Sequence, residues 1–388
     1  MTIGPALATL SDNKAKSMAH PRHTVVVKIG TSLLADKLKG INVERIESLA
    51  KNVTHLRSLG KFVAIVSSGA IGAGVAALGL QAKPRTIPGK QATAAVGQPL
   101  LMEAYERAFR SQGLHIGQLL LTKDDLVERS RFLNAKNTFS VLFEQGVIPI
   151  VNENDTVAVE EIKLGDNDNL AAMVANLIEA EVLIILTNTG GLYSSDPTAD
   201  PEARLIPIVN TITPDIERLA KKTGTDMGTG GMVTKLQAAK RCASAGIPVV
   251  ITDGTNPHAV NDIFTGSFKG TLFLPTRKTL TVRKRWIGFV AHASGYVIVD
   301  DGARLAIMAR QKSLLPSGIL EVHGDFNATD TIAVRDTKGG EIARGVSAFS
   351  SLELERVKGR RSKDLEQILN RKCGDEVIHK NNLVIMGG

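Results

Sequence analysis

The chain has 388 residues, too many for one ordinary hydrophobic core, so its length predicts two or three domains. Hydrophobic residues make up 43% and charged residues 22%, which is typical of a folded globular protein and excludes a largely disordered one. The apolar runs are strand-sized, far below the roughly 20 residues of a membrane span, so we expect no membrane-spanning segment. Residues 1–22 lack the apolar stretch of a secretory signal and are predicted to be a disordered extension.

The charge and the cysteine content bear on the binding partners and the cellular compartment of the protein. The net charge is +8, and residues 277–388 hold 19 Lys and Arg against 13 Asp and Glu. A basic excess attracts nucleic acid and other polyanions, although a solvated surface is the commoner explanation of so small a surplus. Cys242 and Cys373 stand far apart, without the spacing of a disulfide framework or a metal site. This usage favours a reducing compartment, and we expect a cytoplasmic protein.

From residue 24 to about 275, short β-branched runs alternate with longer amphipathic ones. The predicted strands are 24–30, 62–67, 115–121, 147–151, 182–187, 247–251 and 271–274. The predicted helices are 43–60, 88–113, 130–145, 168–180 and 231–245. Strands that are apolar along their whole length and alternate with helices predict an α/β fold, with a mostly parallel sheet between two helical layers. Ligands of such sheets bind beyond the carboxyl ends of the strands.

The pattern changes after about residue 275. Short segments broken by Gly and Asp, such as "SGYVIVDDGA" and "RDTKGGEIARG", predict a small β-rich domain. The expected organisation is an extension over 1–22, an α/β domain over 23–275, a basic linker over 276–286 and the β-rich domain over 287–375.

Glycine-rich loops follow the first two predicted strands. Lys28 begins "KIGTS" after the first strand, and "SSGAIGAG" follows the second. A third cluster, "GTGGMVTK", opens a helix and ends in Lys235. Glycines let backbone N–H groups approach a phosphate, although a packing turn also explains any single cluster. The spacing is neither that of a Walker A loop nor that of a dinucleotide fold. Two lysines beside such loops favour stabilisation of a transferring phosphoryl group.

The stretch "VNENDTVAVEEIKLGDNDNLAA" over 151–172 concentrates short amide and carboxylate side chains between two apolar runs. Its first part ends a strand and its last part begins a helix, so both parts are expected to face one cleft. Asp155 would attract a cation, while Asn152, Asn154 and Asn167 can each donate and accept hydrogen bonds. These groups suit an amino acid, with its ammonium and carboxylate. Helix capping by Asp166 and Asn167 is the alternative, and it explains "GDND" but not "NENDT".

Several segments, taken together, resemble the amino acid kinase family. They are "VVKIGTS", "SSGAIGAG", "KQATAAVGQ", "FLNAKNT", "NENDTVAVEEIKLGDNDN", "GLYSSDP" and "GTGGMVTKLQAA". The segments "AHASGYVIVDDGARLAIMARQKSLLPSGILEVHGDF" and "GEIARGVSAFSSLEL" resemble a PUA domain. The likeness spans about residues 24–370 and is closest to the branch of the family that phosphorylates the side-chain carboxylate of glutamate with ATP, the first step of proline biosynthesis.

The resemblance also implies roles for residues. Lys28 and Lys235 would contact the phosphates, and Asp168 would hold these lysines in place. Glutamate would be bound by Ser68, Asp155 and Asn167. The nucleotide would be bound by Lys28, Thr187, Asn188, Thr229, Gly230, Gly231, Met232, Val233, Thr234 and Lys235. The family usually has Thr-Asp where this chain has Thr187-Asn188, which makes this loop the one departure at the implied nucleotide site.

A glutamate carboxylate is ionised at neutral pH, so such a reaction needs no general base. Magnesium is expected to arrive with ATP rather than on protein ligands of its own. The likeness further implies a homo-oligomer, dimer or tetramer, that proline inhibits. Two alternatives stay open: a related kinase acting on aspartate, acetylglutamate or a nucleotide, and an RNA-binding protein led by its PUA-like domain. The low aromatic content, 4%, predicts no stacking group of the kind that binds bases.

Overall fold

The computed structural model describes residues 23–36, 40–158, 167–222, 231–275, 284, 286–291, 293–361 and 364–386. The chain divides into two compact units, residues 1–126 with 130–279, and residues 127–129 with 280–388. The predicted N-terminal extension lies outside the described residues, as does most of the predicted linker. None of the helices in the described ranges is long and apolar enough to cross a membrane.

An eight-stranded sheet forms the centre of the first unit. The strands of this unit are β1 (Thr24–Ile29), β2 (Ala35–Asp36), β3 (Gly40–Ile41), β4 (Phe62–Ser67), β5 (Ile116–Leu121), β6 (Ile148–Glu153), β7 (Val182–Thr187), β8 (Ile208–Val209), β9 (Val249–Asp253) and β10 (Gly270–Phe273). The order in the large sheet is β5-β6-β4-β1-β7-β9-β10-β8, and β2 pairs with β3 separately. Among the described strands of the large sheet, only the β9–β10 pair is antiparallel. The predicted mostly parallel sheet is thus confirmed.

Helices connect these strands. They are α1 (Thr31–Leu34), α2 (Val43–Ser58), α3 (Ala70–Ala77), α4 (Ile87–Arg110), α5 (Lys123–Val127), α6 (Arg129–Glu144), α7 (Asn167–Leu177), α8 (Pro214–Lys222), α9 (Met232–Ser244) and α10 (Ala259–Thr265). Local sequence accounts for several ends: Asn42 caps α2 by accepting from the backbone of Arg45, and Thr86 caps α4 by accepting from Gly89. Every residue of β1 is buried, as expected for a central parallel strand.

The glycine-rich stretch 69–74 forms a helix start rather than only a loop. Gly69 has φ 110°, a left-handed conformation suited to glycine, and α3 begins at the next residue. A Cβ on Gly74 would lie 1.9 Å from the carbonyl oxygen of Thr93, and one on Gly97 would lie 1.9 Å from that of Ala70. Gly74 and Gly97 therefore allow α3 and α4 to pack closely, so at Gly74 the packing explanation accounts for the glycine.

The second unit contains a mixed five-stranded sheet. Its strands are β11 (Gly295–Val299), β12 (Ile319–Gly324), β13 (Thr331–Arg335), β14 (Glu341–Val346) and β15 (Leu383–Ile385), and its helices are α11 (Asp301–Met308), α12 (Ser351–Val357) and α13 (Leu365–Leu369). The order is β12-β11-β13-β14-β15, and among these described strands only β11–β13 is parallel. Buried Val297, Phe326 and Phe349 belong to its own apolar core. The predicted β-rich domain is confirmed.

Two aromatic rings of the second unit stack on each other. The rings of Tyr296 and His323 stack with centroids 4.5 Å apart, and the guanidinium carbon of Arg335 lies 3.9 Å from the centre of the Tyr296 ring. The pairing of β11 with β12 and β13 brings together residues that are far apart in the sequence, which a low aromatic content does not reveal. Because β12 and β13 flank β11 on opposite sides, the imidazole and the guanidinium approach the phenol ring from opposite sides.

Candidate active site

The carboxyl ends of the central parallel strands meet at one edge of the sheet. Ile29 of β1 lies opposite Ser67 of β4 on one side and Leu186 of β7 on the other. β4 aligns in turn with β6, where Val66 lies opposite Val151. Ligands of open α/β sheets bind beyond this edge. The residues that end or follow these four strands therefore form the candidate site.

Two lysines and one aspartate form a buried group at this edge, which we call the lysine cluster: Lys28, Asp168 and Lys235. The Nζ atom of Lys28 lies 2.5 Å from Oδ1 of Asp168, and that of Lys235 lies 3.2 Å from Oδ2. Thr234 donates a hydrogen bond from its hydroxyl to the same Oδ2, at 2.9 Å. All three members of the cluster are at most 5% exposed. One carboxylate thus holds two ammonium groups that come from distant parts of the sequence.

The charge of Asp168 is maintained by its surroundings. Burial alone would raise the pKa of this carboxyl, but attraction to Lys28 and Lys235 and hydrogen bonds from Lys28 and Thr234 outweigh burial and lower the pKa below its usual value. Asp168 also lies in the first turn of α7, where the helix dipole favours a negative charge. The carboxylate is therefore ionised at neutral pH and stays between the lysines.

Next to the lysine cluster lies a second group, the amide cluster, formed by Ser68, Gln98, Asn152 and Asn167. The Nδ2 atom of Asn167 donates to the backbone oxygen of Ser67 at 2.8 Å, to Oγ of Ser68 at 2.7 Å and to Oδ1 of Asn152 at 3.1 Å. Asn152 in turn donates from Nδ2 to Oε1 of Gln98 at 2.8 Å. The side chain of Asn167 thus contacts the ends of β4 and β6 instead of capping its own helix, and Asp166 lies outside the described residues.

Ser67 is held from behind by α4. Its hydroxyl lies 3.0 Å from the phenol oxygen of Tyr105, a residue with no exposed surface. Burial raises the pKa of Tyr105 well above its usual value, and the hydrogen bond with Ser67 lowers it only in part. The phenol therefore stays neutral, and it fixes the end of β4 without adding charge to the site.

The "NENDT" segment begins inside β6 and ends in a turn. Asn154 donates from its backbone to the carbonyl oxygen of Leu121 at 3.1 Å, and its side-chain oxygen accepts from the hydroxyl of Thr156 at 2.7 Å. The Asn154 side chain thus stabilises the turn. Asp155 lies in this turn and is half-buried, beside the amide cluster in sequence and at the same edge of the sheet.

The loop after β7 contacts the loop after β1. Ser32 donates from its hydroxyl to Oδ1 of Asn188 at 2.7 Å, and the hydroxyls of Thr187 and Thr189 lie 3.3 Å apart. An aspartate at position 188 could accept the same bond from Ser32. Relative to the Thr-Asp pair that the family likeness implies here, Asn188 therefore preserves this contact and removes one negative charge.

The described part of the third glycine cluster begins α9. Gly231 precedes the helix, and a Cβ placed on it would contact nothing within 4 Å; Met232 is buried and Val233 is half-buried. Gly231 also accepts, on its carbonyl oxygen, a hydrogen bond from Thr234 at 2.8 Å. Thr229 and Gly230 lie outside the described residues. The open helix start beside Lys235 suits an anionic group.

A cavity of about 320 Å³ opens where β5 and β6 end. Its walls carry both signs of charge, among them Lys123, Asp125, Arg131 and Glu153. Burial raises the pKa of Asp125, but hydrogen bonds from Thr122 and Arg131 and attraction to Arg131 outweigh it, so the pKa is lowered. The cavity therefore offers ionised groups of both signs beside the "NENDT" turn.

The structure adds two residues to those expected from the sequence, since Gln98 joins the amide cluster and Ser32 bonds to Asn188. Thr234, expected at the nucleotide, also bonds to Asp168. Gln98 lies inside the segment "KQATAAVGQ", which carries part of the family likeness, but nothing in its local pattern indicates a site. Among the residues described, no group of three or more His, Cys, Asp or Glu is arranged to hold a metal ion.

Comparison with known proteins defines the class of this chain. The sequence profile of the amino acid kinase family matches residues 23–253, and that of the PUA domain matches residues 295–369. The fold and the site thus define an amino acid kinase with a PUA domain.

Similar proteins narrow the class further. The chain is 49% identical to the glutamate 5-kinase of Geobacter sulfurreducens and 50% identical to that of Geobacter metallireducens, in each case over 93% of this chain and 97% of the relative. The chain therefore belongs to the amino acid kinase family and, within it, to the glutamate 5-kinases. Among solved structures, the carbamate kinase from Giardia lamblia bound to AMP-PNP aligns with a TM-score of 0.48 at 18% identity, covering 66% of this chain and 99% of that one.

Proposed function

We propose that this chain transfers the γ-phosphoryl group of ATP to the side-chain carboxylate of L-glutamate, giving L-glutamyl 5-phosphate, the first step of proline biosynthesis. The observation that carries the proposal is the contact of Asp168 with both Lys28 and Lys235, directly beside the amide cluster. The first group suits a transferring phosphoryl group and the second suits a polar amino acid. The identity of 49% to a glutamate 5-kinase over nearly the full length supports the same substrate.

The transfer needs charge compensation more than proton transfer. An oxygen of the glutamate γ-carboxylate forms a bond to the γ-phosphorus, while the bond from that phosphorus to the β–γ bridging oxygen breaks and ADP leaves with the electron pair. No proton moves, because the attacking carboxylate is already ionised. Lys28 and Lys235 reduce the repulsion between the two anions and stabilise the charge that builds up on the equatorial oxygens. Asp168 acts as a positioning residue for both ammonium groups.

The nucleotide is expected at the start of α9 and at the loop after β7. Gly231, Met232 and Val233 offer backbone N–H groups there, and Thr187 and Asn188 lie at the adjacent strand end. We keep Thr229 and Gly230 in this assignment on the family likeness alone. Both oxygens of Asp168 contact ammonium groups, so this carboxylate is a poor direct ligand for a metal. Magnesium would be held by the ATP phosphates and would lower their charge.

Glutamate is proposed to lie across the ends of β1, β4 and β6. Its γ-carboxylate would face the lysine cluster. Its α-carbon would lie at the amide cluster, where Ser68 and Asn167 would bind the polar groups that this carbon carries. Asp155, half-buried in the turn after β6, would attract the ammonium. The charged cavity beside this turn supports an amino acid ligand on this side of the sheet.

Two further assignments rest on the family likeness. Proline carries the same α-ammonium and α-carboxylate as glutamate, and we propose that it inhibits by competing at the "NENDT" turn. A homo-oligomer, dimer or tetramer, is proposed on the same ground, whereas a cytoplasmic location is proposed because the two isolated cysteines favour a reducing compartment. The boundaries 23–275 and 287–375 are kept as the proposed kinase and PUA domains, with the chemistry confined to the first.

A substrate panel tests the proposal. Purified protein with MgATP should form ADP in the presence of L-glutamate, and hydroxylamine should trap the acyl phosphate as a glutamyl hydroxamate. Aspartate, N-acetylglutamate and UMP serve as the alternative acceptors, since related family members act on such compounds. Faster ADP formation with one of these than with glutamate would assign the chain to a different substrate.

A further inference from the structure

The hydrogen bonds of the amide cluster fix which polar atoms remain available to a ligand. Asn167 uses its Nδ2 atom as the donor to Ser67, Ser68 and Asn152, which leaves its Oδ1 atom as an acceptor. Ser68 accepts from Asn167 on its hydroxyl oxygen, so its own proton can be donated elsewhere. The cluster therefore presents an acceptor and a donor with defined positions, as a zwitterion requires.

Gln98 adds further hydrogen-bond donors to this cluster. Its Oε1 atom accepts from Nδ2 of Asn152 at 2.8 Å, which identifies the other atom of the carboxamide, Nε2, as the NH₂ group. No hydrogen bond of Nε2 occurs within the described part of the chain, and Gln98 is half-buried. Both polar atoms share one carbon, so the NH₂ group lies beside the amide cluster. Gln98 thus adds two N–H donors to the hydroxyl donor of Ser68, at a site that also presents the acceptor oxygen of Asn167.

We propose that Gln98 binds the α-carboxylate of the amino acid substrate. This assignment rests on the proposed function. Asn152, the partner of Gln98, is the last residue but one of β6, and the strand order places β6 two strands from β1 and its Lys28. Two strand spacings amount to roughly 10 Å, room for a phosphoryl group followed by an extended glutamate. The reacting γ-carboxylate lies at the lysine end, so the carboxylate at the Gln98 end is the α-carboxylate.

Substitution can distinguish a binding role of Gln98 from a purely structural one. A structural role needs only Oε1, which holds Asn152, whereas a binding role needs the NH₂ group. Gln98→Glu keeps an acceptor oxygen for Asn152 but replaces the donor by a second negative charge beside the substrate carboxylate. Gln98→Met removes both functions without adding charge. The two roles therefore predict opposite orders of damage.

Glutamate binding and steady-state transfer should be measured for Gln98→Glu, Gln98→Met and the exposed control Gln81→Glu, after circular dichroism and thermal melting show that each is folded. We expect Gln98→Glu to raise the KM and Kd for glutamate by about 30-fold or more, since a negative charge is added beside the substrate carboxylate where a hydrogen bond to that carboxylate is lost. Gln98→Met should raise them by about 10-fold. The kcat should change less than KM, and Gln81→Glu should match the wild type.

A second probe keeps the test valid if the Gln98→Glu variant does not fold. 4-Aminobutanoate has the ammonium and the reacting carboxylate of glutamate but no α-carboxylate. Wild type should bind glutamate more tightly than 4-aminobutanoate, and Gln98→Met should reduce this preference by about 10-fold. An unchanged preference, or a Gln98→Glu variant with wild-type glutamate binding, overturns the role of Gln98. A wild-type protein that neither binds nor phosphorylates glutamate instead overturns the proposed function.

Discussion

The lysine cluster and the amide cluster lie at the same edge of one sheet but use different chemistry. In the first, a fully buried carboxylate holds two ammonium groups, so this cluster presents positive charge to a ligand. In the second, a serine and three amides hold one another through neutral hydrogen bonds, so this cluster presents donors and acceptors in fixed orientations. Charge matters most where charge is redistributed during transfer, and orientation matters most for a group that does not react. The two clusters should therefore respond differently to mutation.

The largest effect is expected at the lysine cluster. Lys235→Met should lower kcat by about 100- to 1,000-fold with little change in the KM for glutamate, because the ammonium acts mainly on the transition state. Lys240→Met is the matched control, since Lys240 lies on the same helix with its side chain 62% exposed. Steady-state kinetics of both variants provide the measurement. A folded Lys235→Met variant with near-normal turnover would remove this lysine from the mechanism.

Asp168→Asn should destabilise the fold, because it removes the negative charge between the two buried lysines. Removing one partner of a buried ion pair leaves unpaired charge, so unfolding at pH 7 should become easier by about 3 kcal/mol. The folded pKa of Asp168 is lowered, so its contribution is fully present above the unfolded value near pH ~4 and is lost as the pH falls through the folded pKa. The difference in urea midpoint between wild type and variant should thus be constant from neutral pH to about pH 5 and shrink in acid.

The control for this measurement is Asp215→Asn, which alters an exposed carboxylate paired with Arg218. Its urea midpoint should follow that of the wild type at every pH. A difference between wild type and Asp168→Asn that grows in acid would contradict a lowered folded pKa for Asp168.

The amide cluster should affect substrate binding first. Asn167→Ala should raise the KM for glutamate by about 10- to 100-fold, because it removes an acceptor for the ammonium and releases Ser68 and Asn152. The kcat at saturating glutamate should fall much less. Asn134→Ala, at an exposed position on α6, is the control. A fall in kcat with an unchanged KM would place Asn167 with the lysine cluster instead.

The smallest effect is expected at the turn after β6. Asp155→Ala should raise the KM for glutamate by only about fivefold, since a half-exposed ion pair is weakened by solvent. The same change should weaken inhibition by proline if both amino acids contact this carboxylate. Inhibition curves at several glutamate concentrations measure both effects, with Asp215→Ala as control. Unchanged constants for both ligands would assign Asp155 to the turn alone.

The sequence predicts the parallel sheet well because its signal is local. β4 and β7 have the predicted bounds, and β1 ends one residue earlier, at Ile29. Long-range packing is less visible. The sequence of α3 is glycine-rich and resembles a loop, yet it is helical because Gly74 and Gly97 let it pack against α4.

The site residues also divide into those with a local sequence signal and those placed only by long-range packing. Lys28, Asp168 and Lys235 adjoin strand ends or helix starts, where a ligand is expected, and the sequence indicates all three. Gln98 lies within a long helix, 54 residues from the Asn152 that it contacts. Only the fold brings these two residues together, so no periodicity or spacing could have identified Gln98.

Equilibrium binding of L-glutamate separates the two clusters most directly, because it excludes the transition state altogether. Calorimetry should compare wild type, Lys235→Met and Asn167→Ala in the absence of turnover. We predict that Lys235→Met binds glutamate with a Kd within about twofold of the wild type, whereas Asn167→Ala binds at least about 10-fold more weakly. A Lys235→Met variant that loses glutamate binding, together with an Asn167→Ala variant that keeps it, would contradict the division between charge and orientation.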